Sequence, residues 1–220
     1  MNTPAFAIKT LPLLAGLVLA STSVRADEID LQKCPAPVQK ALQEAGKINK
    51  VDKETSKDGV VYDADGTSDT GAFEMVVAPD GKVLRKSEEA KMAGCPAPVK
   101  LAIVGKTNGK TINSIEKITE DGATTFVVES HDKEGRISQV EIGSDGKLVM
   151  QDDAITAEAT PAAIKKAIDS KVTPGGHVME VHKLTDGEGK VTYTARIVSS
   201  IMTLELDGDG KVLSFGKAEE

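Results

Sequence analysis

The sequence predicts an α+β protein of three tandem units, each with one helix packed on a three- to four-stranded antiparallel sheet. The first observation is a helix-start word that occurs three times, as CPAPV, again as CPAPV, and as TPAAI. The second is an apolar segment typical of a strand that follows each word, in INKVDKET, INSIEKIT and VMEVHKLT. The third is an Asp-Gly turn that closes each copy, in PDGKVL, SDGKLV and GDGKVL. Three matches in the same order indicate a repeated structural unit.

The repeated word is expected to begin a helix in each unit. Cys34, Cys95 and Thr160 are placed at the N-cap, and the proline after each suits the first helical position, where its missing N–H costs no hydrogen bond. Apolar residues then recur at helical spacing, as at Val38 and Leu42 in the first unit. Each helix therefore has one apolar face, which a sheet must cover.

The strands of each unit follow its helix. The first strand has apolar residues three apart instead of alternating, which indicates a bulge or a twist. The second carries the aromatic residue of the unit, Tyr62, Phe126 or Tyr193, and the third is again apolar. The Asp-Gly turn then leads to a short last strand.

Four segments divide the chain. Residues 1–26 are expected to be a signal peptide, and the three units to span 27–90, 91–155 and 156–220. Units of this size are marginal alone, so we expect neighbours to dock, and edge-to-edge pairing of their sheets is one way to do so. The charged, alanine-containing segments KSEEAKMAG and QDDAITAEA are interpreted as the connections between units.

The N-terminus has the pattern of a secretory signal peptide. Lys9 precedes an apolar stretch at 11–20, and Val24 and Ala26 stand at the small-residue positions that a signal peptidase needs. The apolar stretch is shorter than the roughly 20 residues of a membrane-spanning helix. The sequence therefore predicts an exported protein with no stable membrane insertion after cleavage.

Composition disfavours two classes of ligand. The chain has 34 Asp and Glu against 27 Lys and Arg, and a formal net charge of −7. Excess negative charge repels phosphate backbones, so we expect no nucleic-acid partner. Aromatic residues make up 3% of the chain and Trp is absent. This composition disfavours a sugar-binding module, because such modules usually contact their ligand through aromatic side chains.

The order of these segments resembles the PepSY-like domain family, a group also described as beta-lactamase-inhibitor-like. Units of that family open with a Pro-Ala-x-Val/Ile helix, continue through an Ile-x-x-Val strand and an aromatic-bearing strand, and close with a DGKVL-type hairpin. The resemblance covers residues 27–215. It implies an α+β fold, a bacterial protein that is periplasmic or secreted, no catalysis, and a role in binding or inhibiting another protein. It transfers no functional residues, and cysteine at the helix start departs from the family pattern.

Two cysteines, Cys34 and Cys95, are present in the chain, and thiols of exported proteins tend to oxidise. One interpretation is a disulfide between the first two units, which requires a near two-fold relation that brings both helix starts together. The alternative is two separate thiols, because units related by simple translation hold equivalent residues too far apart to bond.

The segment YDADGTSDTGAFE is a candidate calcium site. Asp63, Asp65, Thr67, Asp69 and Glu74 occupy positions 1, 3, 5, 7 and 12 of a calcium-binding loop, where alternating oxygen ligands can surround one hard cation. The usual glycine at the sixth position is absent, and strands instead of helices are predicted on either side. The alternative is an acidic, solvated hairpin without a metal, and no other cofactor is predicted.

Other residues with possible chemistry are interpreted as ordinary side chains. HVMEVH contains His177, Met179 and His182, which are possible copper or zinc ligands, but alternation along a strand places His182 on the other face. ESHD places a serine, a histidine and an aspartate together at 130–132. Adjacent strand residues face opposite sides and cannot form a triad, so no enzyme activity is expected.

The leading functional hypothesis is an exported, non-catalytic protein that binds or inhibits another envelope or secreted protein through a sheet face or edge. The second is a calcium-binding or calcium-stabilised envelope protein that uses residues 63–74. The third is an assembly protein whose sheet edges pair between chains. The sequence does not identify the partner.

Overall fold

One antiparallel β-sheet forms most of the structure. The computed structural model describes residues 25–56, 59–173, 176–198 and 202–217, and in this part of the chain 13 strands follow one another across the sheet in chain order. The strands are β1 (Arg25–Glu28), β2 (Lys47–Ser56), β3 (Gly59–Ser68), β4 (Gly71–Val77), β5 (Val83–Glu89), β6 (Thr111–Glu120), β7 (Ala123–His131), β8 (Ile137–Gly143), β9 (Leu148–Ile155), β10 (His177–Asp186), β11 (Val191–Val198), β12 (Met202–Asp207) and β13 (Val212–Lys217). The helices are α1 (Ala36–Ala45), α2 (Ala97–Thr107) and α3 (Ala162–Asp169).

The predicted fold class, with a separate small sheet for each unit, is wrong. Strand β5 pairs with β6 from Arg85↔Glu120 to Glu89↔Glu116, and β9 pairs with β10 in the same antiparallel sense. The segments interpreted as connections supply much of these strands, so β5 and β9 are longer than predicted. Pairing satisfies backbone N–H and C=O groups that separate sheets would leave at four extra edges. The proposed boundaries between units stay a prediction.

All three helices lie on the same face of the sheet. Residues directly opposite each other in neighbouring strands share a face, and one such row runs from Phe73 through Glu88 and Lys117 to Phe126. Phe73 packs in the cluster that contains the buried residues of α1, and Phe126 in the cluster of α2. A second row connects Ser138 on β8 to Tyr193 in the cluster of α3. The core therefore lies on this side of the sheet, as three separate clusters with one under each helix.

The helix starts differ from the prediction by one residue. Pro35, Pro96 and Pro161 are the N-cap residues, and none of them makes a side-chain capping bond. The three preceding residues instead bond backward to a carbonyl oxygen four residues earlier: Cys34 Sγ to Asp30 at 3.8 Å, Cys95 Sγ to Lys91 at 3.5 Å, and Thr160 Oγ1 to Thr156 at 2.9 Å. Cysteine and threonine therefore play the same local role before each helix.

The bulge predicted in the first strand after each helix is confirmed. The pairing register shifts between Ile48 and Lys50 in β2, with equivalent shifts in β6 and β10. A bulge inserts one residue, so both Ile48 and Val51 pack against the helix-side core although they are three residues apart. The i, i+3 spacing in the sequence is therefore the signature of this bulge.

The Asp-Gly turns pack against the helix starts. Gly81, Gly146 and Gly210 have φ between 84° and 87°, a conformation that side-chain-bearing residues rarely adopt. A Cβ atom added at Gly146 would lie 2.8 Å from the carbonyl oxygen of Pro98. The repeated turn thus needs glycine for two reasons, the backbone conformation and the close approach of the helix.

Only the end of the predicted signal peptide lies among the described residues. Residues 1–24, including its apolar stretch, lie outside them. Arg25 and Ala26 begin β1, which pairs with β2 from Arg25↔Thr55 to Glu28↔Asp52, so cleavage after Ala26 would leave Asp27 and Glu28 in this edge strand. Among the described residues, no helix is long and apolar enough to cross a membrane.

Candidate functional site

The face of the sheet opposite the helices is the candidate site, and we name it the open face. On β3 and β4 the helix-side residues are buried, whereas the residues between them are half-buried or exposed. The same alternation holds on β7, β8, β11 and β12. A sheet side covered by packed elements would bury both sets of residues, so none of the described elements packs over the open face.

Carboxylates concentrate on the open face of the first strands after α1. Five of them lie on adjacent strands, and we name this set the acidic patch. Its members are Asp52, Glu54, Asp63, Asp65 and Glu74. Asp52 lies opposite Asp63, and Asp65 lies opposite Glu74, in the register of β2, β3 and β4. Directly opposed like charges destabilise a sheet. The Lys50 Nζ atom, 2.5 Å from Asp52 Oδ2, offsets this repulsion at one side of the patch.

Asp63 is the central carboxylate of the acidic patch. Burial, followed by the negative charges of Glu74, Glu54, Asp65 and Asp52, raises the pKa of the Asp63 carboxyl to about 6. A cation placed over the patch would favour the charged form of this carboxyl and relieve the repulsion. The site can therefore attract positively charged groups.

The acidic patch contains three of the five predicted calcium ligands, which lie along a β-hairpin, and the calcium site stays a prediction. Asp63, Asp65 and Thr67 lie along the extended strand β3, Asp69 follows it in the turn, and Glu74 lies on β4. A flat hairpin spreads these oxygens along two strands instead of wrapping them around one point. Among the described residues, no group of three or more His, Cys, Asp or Glu side chains is arranged to hold a metal ion.

A second charged group on the open face surrounds His182. Its Nδ1 atom is 2.7 Å from Asp152 Oδ1, and its Nε2 atom is 3.6 Å from Glu180 Oε2. Glu180 is also 3.7 Å from the guanidinium of Arg196. The hydrogen bond with Asp152 raises the pKa of His182 against the opposing effect of burial. Each group here has a partner within the chain, so this cluster is a structural network.

The strand bulge changes the predicted geometry of HVMEVH. Val178 packs with the α3 core, as does Val181 after the bulge. The alternation that was expected to separate His177 and Met179 from His182 therefore does not hold across this segment. Met179 is exposed, and His182 is occupied by the carboxylates described above.

The residues of ESHD do not form a catalytic group. Ser130 is buried on the helix side, whereas His131 lies on the other face, with Nδ1 2.5 Å from Asn113 Oδ1. The Asp132 carboxylate accepts hydrogen bonds from the backbone N–H groups of Glu134 and Arg136. The serine, the histidine and the aspartate that a catalytic triad would need therefore lie in three separate environments.

The disulfide considered between Cys34 and Cys95 is not formed. Both cysteines are free and buried, and each packs in a different hydrophobic cluster, that of α1 or that of α2. Because α1 and α2 lie side by side on one face, no two-fold relation brings the helix starts together. Burial raises the pKa of both thiols, so they are held in the protonated, poorly nucleophilic form.

Sequence reasoning found part of the acidic patch and missed its extent. Acidic residues two apart, as at 52 and 54 or at 63 and 65, lie on one face of a strand, and this spacing could have identified the patch. The predicted calcium ligands include Asp63, Asp65 and Glu74 of the patch. They do not include Asp52 and Glu54, which only the pairing of β2 with β3 brings to them.

Several solved structures are similar to this chain over little more than half its length. A BLIP-like protein from Bacteroides fragilis is 20% identical, with a TM-score of 0.42, and the match covers 58% of this chain and 92% of that chain. A DUF2874 family protein from Bacteroides ovatus is 13% identical, with a TM-score of 0.44 and coverages of 55% and 88%. A protein from Bacteroides thetaiotaomicron, provisionally described as calcium-regulated and periplasmic, is 15% identical, with a TM-score of 0.34 and coverages of 60% and 97%.

These likenesses assign no function to the chain at such identities and TM-scores. No protein-family model and no curated protein matches the sequence. One of these structures is described as BLIP-like, and the predicted resemblance to PepSY-like units stays a prediction. The predicted periplasmic or secreted location agrees with the description of several of the similar structures as periplasmic proteins.

Proposed function

We propose that this chain is an exported, non-catalytic binding protein that binds or inhibits another envelope or secreted protein through the open face of its sheet. The open face is the observation that carries the proposal. In the part of the chain that the structure describes, the helices lie on one side of the sheet, and the other side presents half-buried and exposed side chains from successive strands. Such a broad sheet surface suits a protein partner better than a small molecule, because small molecules usually bind in enclosed pockets.

The acidic patch indicates the chemistry of the partner. Asp63 is held among four other carboxylates at the cost of a raised pKa, and lysine or arginine side chains from a partner would neutralise that group. Complementary charge steers association and fixes the orientation of the two proteins. We therefore expect a partner with a basic surface.

A binding role without catalysis is supported by the state of the chain's reactive groups. The two thiols are buried with raised pKa values. Ser130 is separated from His131 by the thickness of the sheet, and His182 is engaged by Asp152 and Glu180. None of these groups is arranged as an activated nucleophile beside a base.

The test is capture of a partner from a periplasmic extract by three immobilised proteins: the wild type, a patch variant and a matched control. The patch variant is Asp65→Asn with Glu74→Gln, which removes two carboxylates from the open face. The control is Glu44→Gln with Asp169→Asn, which removes two exposed carboxylates from the helix side. Both variants change the net charge equally, and thermal unfolding shows whether each keeps the fold.

We expect the wild type and the control to retain the same protein, in a salt-sensitive manner, and the patch variant to lose it. Retention by the patch variant at wild-type level would show that the open face is not the binding surface. Failure of all three proteins to retain any partner at low ionic strength would contradict the binding function itself.

A further inference from the structure

The sheet passes from one helix to the next at two places, which we name the first joint and the second joint. The first joint is the pairing of β5 with β6, between the hydrophobic clusters of α1 and α2. The second joint is the pairing of β9 with β10, between the clusters of α2 and α3. Both pairings are antiparallel and similar in length, with five and six residue pairs. The two joints differ in the side chains that cross them.

The first joint is crossed by an ion pair whose charges are constant near neutral pH. The Lys117 Nζ atom on β6 is 2.7 Å from Glu88 Oε1 on β5. Lysine stays protonated and glutamate stays ionised between about pH 6 and pH 9. This ion pair therefore holds β5 to β6 with the same charges throughout that range.

The second joint is crossed by an ion pair that contains a histidine. The His182 Nδ1 atom on β10 is 2.7 Å from Asp152 Oδ1 on β9, and the two side chains are 26% and 22% exposed. Within the part of the chain that the structure describes, this is the ion pair whose members lie on β9 and β10. Histidine changes its charge near neutral pH, so the charge that links these two strands depends on pH.

The other charged groups near His182 on the open face favour its protonated form. Glu180 lies on the same strand, with Oε2 3.6 Å from His182 Nε2, and Arg196 on β11 is 3.7 Å from Glu180. Thr194, directly opposite His182 on β11, carries no charge. The remaining carboxylates on this face of β10–β12 bond to groups within their own hairpins, and these are Asp186, Glu205 and Asp207.

Comparison of the two joints shows that the fold does not require a histidine at this position. His182 in VMEVHKLT corresponds to Glu116 in INSIEKIT. At the first joint Ser87 on β5 donates its hydroxyl to the Glu116 carboxylate, so a pair without opposite charges takes the place of Asp152 and His182. A histidine held between two carboxylates at a strand pairing is suited to respond to the proton concentration.

We propose that the second joint depends on pH: protonated His182 bridges Asp152 and Glu180 and holds α3 and β10–β13 to the rest of the sheet, and loss of that proton loosens the joint. Neutral imidazole keeps a hydrogen bond with Asp152 but not the charge. In the described part of the chain Asp152 has no other ion pair that could replace it. This inference concerns how the sheet is held together, so it does not rest on the proposed binding function.

The direction of the pH effect follows from the state of His182. The hydrogen bond with Asp152 raises the pKa of His182 in the folded protein against the effect of burial. The stabilisation is therefore fully present below about pH 6.5, the ordinary histidine value, and is lost as pH rises through the pKa of the folded state. The Asp63 carboxyl, with its pKa of about 6, titrates mainly below this window, so the two effects can be measured separately.

The first test is hydrogen exchange of the wild type at pH 6 and pH 8.5, with the rates corrected for the intrinsic effect of pH on amide exchange. We expect the protection of the amides that pair β9 with β10 to fall by about threefold to fivefold between the two pH values. Protection of the amides that pair β5 with β6 should stay unchanged. An unchanged second joint would overturn the proposal, and so would an equal fall at both joints, because His182 would then act on the fold as a whole.

The second test uses two variants of His182 and a matched control. His182→Gln is neutral at both pH values, so its second joint should be as weakly protected at pH 6 as that of the wild type at pH 8.5. His182→Lys is charged at both, so it should keep the protection at pH 8.5. The control is His131→Gln, which changes a histidine on the open face whose Nδ1 atom is 2.5 Å from Asn113 Oδ1 instead of a carboxylate, and it should respond to pH as the wild type does.

The variants separate the charge of residue 182 from its shape. If His182→Lys loses protection at pH 8.5 as the wild type does, the charge does not hold the joint and the proposal is wrong. A wild-type pH response in His182→Gln would overturn it as well. Should His182→Gln fail to fold, the comparison of the wild type with His182→Lys at the two pH values still decides the question.

Discussion

At the scale of the residue, Asp63 makes the stability of the fold depend on pH. Its pKa is raised to about 6 by burial and by four neighbouring carboxylates, so the folded state binds the proton more tightly than the unfolded state does. The stability of the fold therefore decreases as pH rises from about 4 to about 6, and the full cost of the charge is present above that window.

Asp63→Asn is accordingly expected to stabilise the protein above pH 6. The gain is about 1 kcal/mol once solvent screening of a half-buried group is allowed for, and it should vanish near pH 4. Denaturant unfolding of variant and wild type at both pH values measures it. Glu44→Gln, an exposed change on α1, should show no such pH dependence. A variant as unstable as the wild type at pH 7 would refute the assigned role of the acidic patch.

The residues before the helices show how much of each helix start can be predicted from the sequence. The repeated word predicted three helix starts correctly to within one residue, because proline and the spacing of apolar residues are local signals. The backward bonds of Cys34, Cys95 and Thr160 were not predicted, since they depend on the turn that precedes each proline. The sequence also does not decide between a disulfide and two separate thiols, because that choice depends on how the units lie relative to each other.

At the scale of the element, the contact between the Asp-Gly turn and the helix start holds each hairpin to its helix. Gly146 has φ of +84°, and a Cβ atom there would lie 2.8 Å from Pro98. Gly135 has nearly the same φ, +82°, but a Cβ atom added to it would have no neighbour within 4 Å. A comparison of the two glycines therefore separates the cost of backbone strain, which both positions share, from the cost of a steric clash with the helix, which only Gly146 has.

Gly146→Ala is expected to lower the free energy of unfolding by about 1–2 kcal/mol more than Gly135→Ala does, because both variants share the backbone strain and only the first displaces the helix. Chemical denaturation of the two variants beside the wild type measures the difference. Equal losses in both variants would show that the turn does not press on the helix.

At the scale of the whole molecule, the sequence pattern predicted the order of helix and strands but not the single sheet. The segment KSEEAK consists of charged and small residues, a composition typical of a connection. In the structure Lys86 and Glu88 nevertheless lie in β5 on the helix side, between the clusters of α1 and α2. Their partners come from β6, many residues later in the chain, so no local pattern distinguishes a joined sheet from separate ones.

Glu88 tests whether this joined sheet contributes to stability. Its carboxylate is 2.8 Å from Lys86 Nζ and 2.7 Å from Lys117 Nζ, and its side chain is 17% exposed. Burial alone would raise its pKa, but the hydrogen bonds from Lys117 and Lys86 outweigh burial and lower it. A lowered pKa in the folded state means that the stabilisation is present at neutral pH and is lost as pH falls through that pKa.

Glu88→Gln is therefore expected to destabilise the fold by about 1–3 kcal/mol at pH 7, because two lysines lose a buried charged partner. The difference from the wild type should shrink in acid, where Glu88 itself becomes protonated. Hydrogen exchange should also show faster exchange at the amides that pair β5 with β6 than in the wild type, while the β7–β8 pair changes less. If Glu88→Gln behaves like the exposed change Glu44→Gln at pH 7, the ion pairs across β5 and β6 do not hold the two halves of the sheet together.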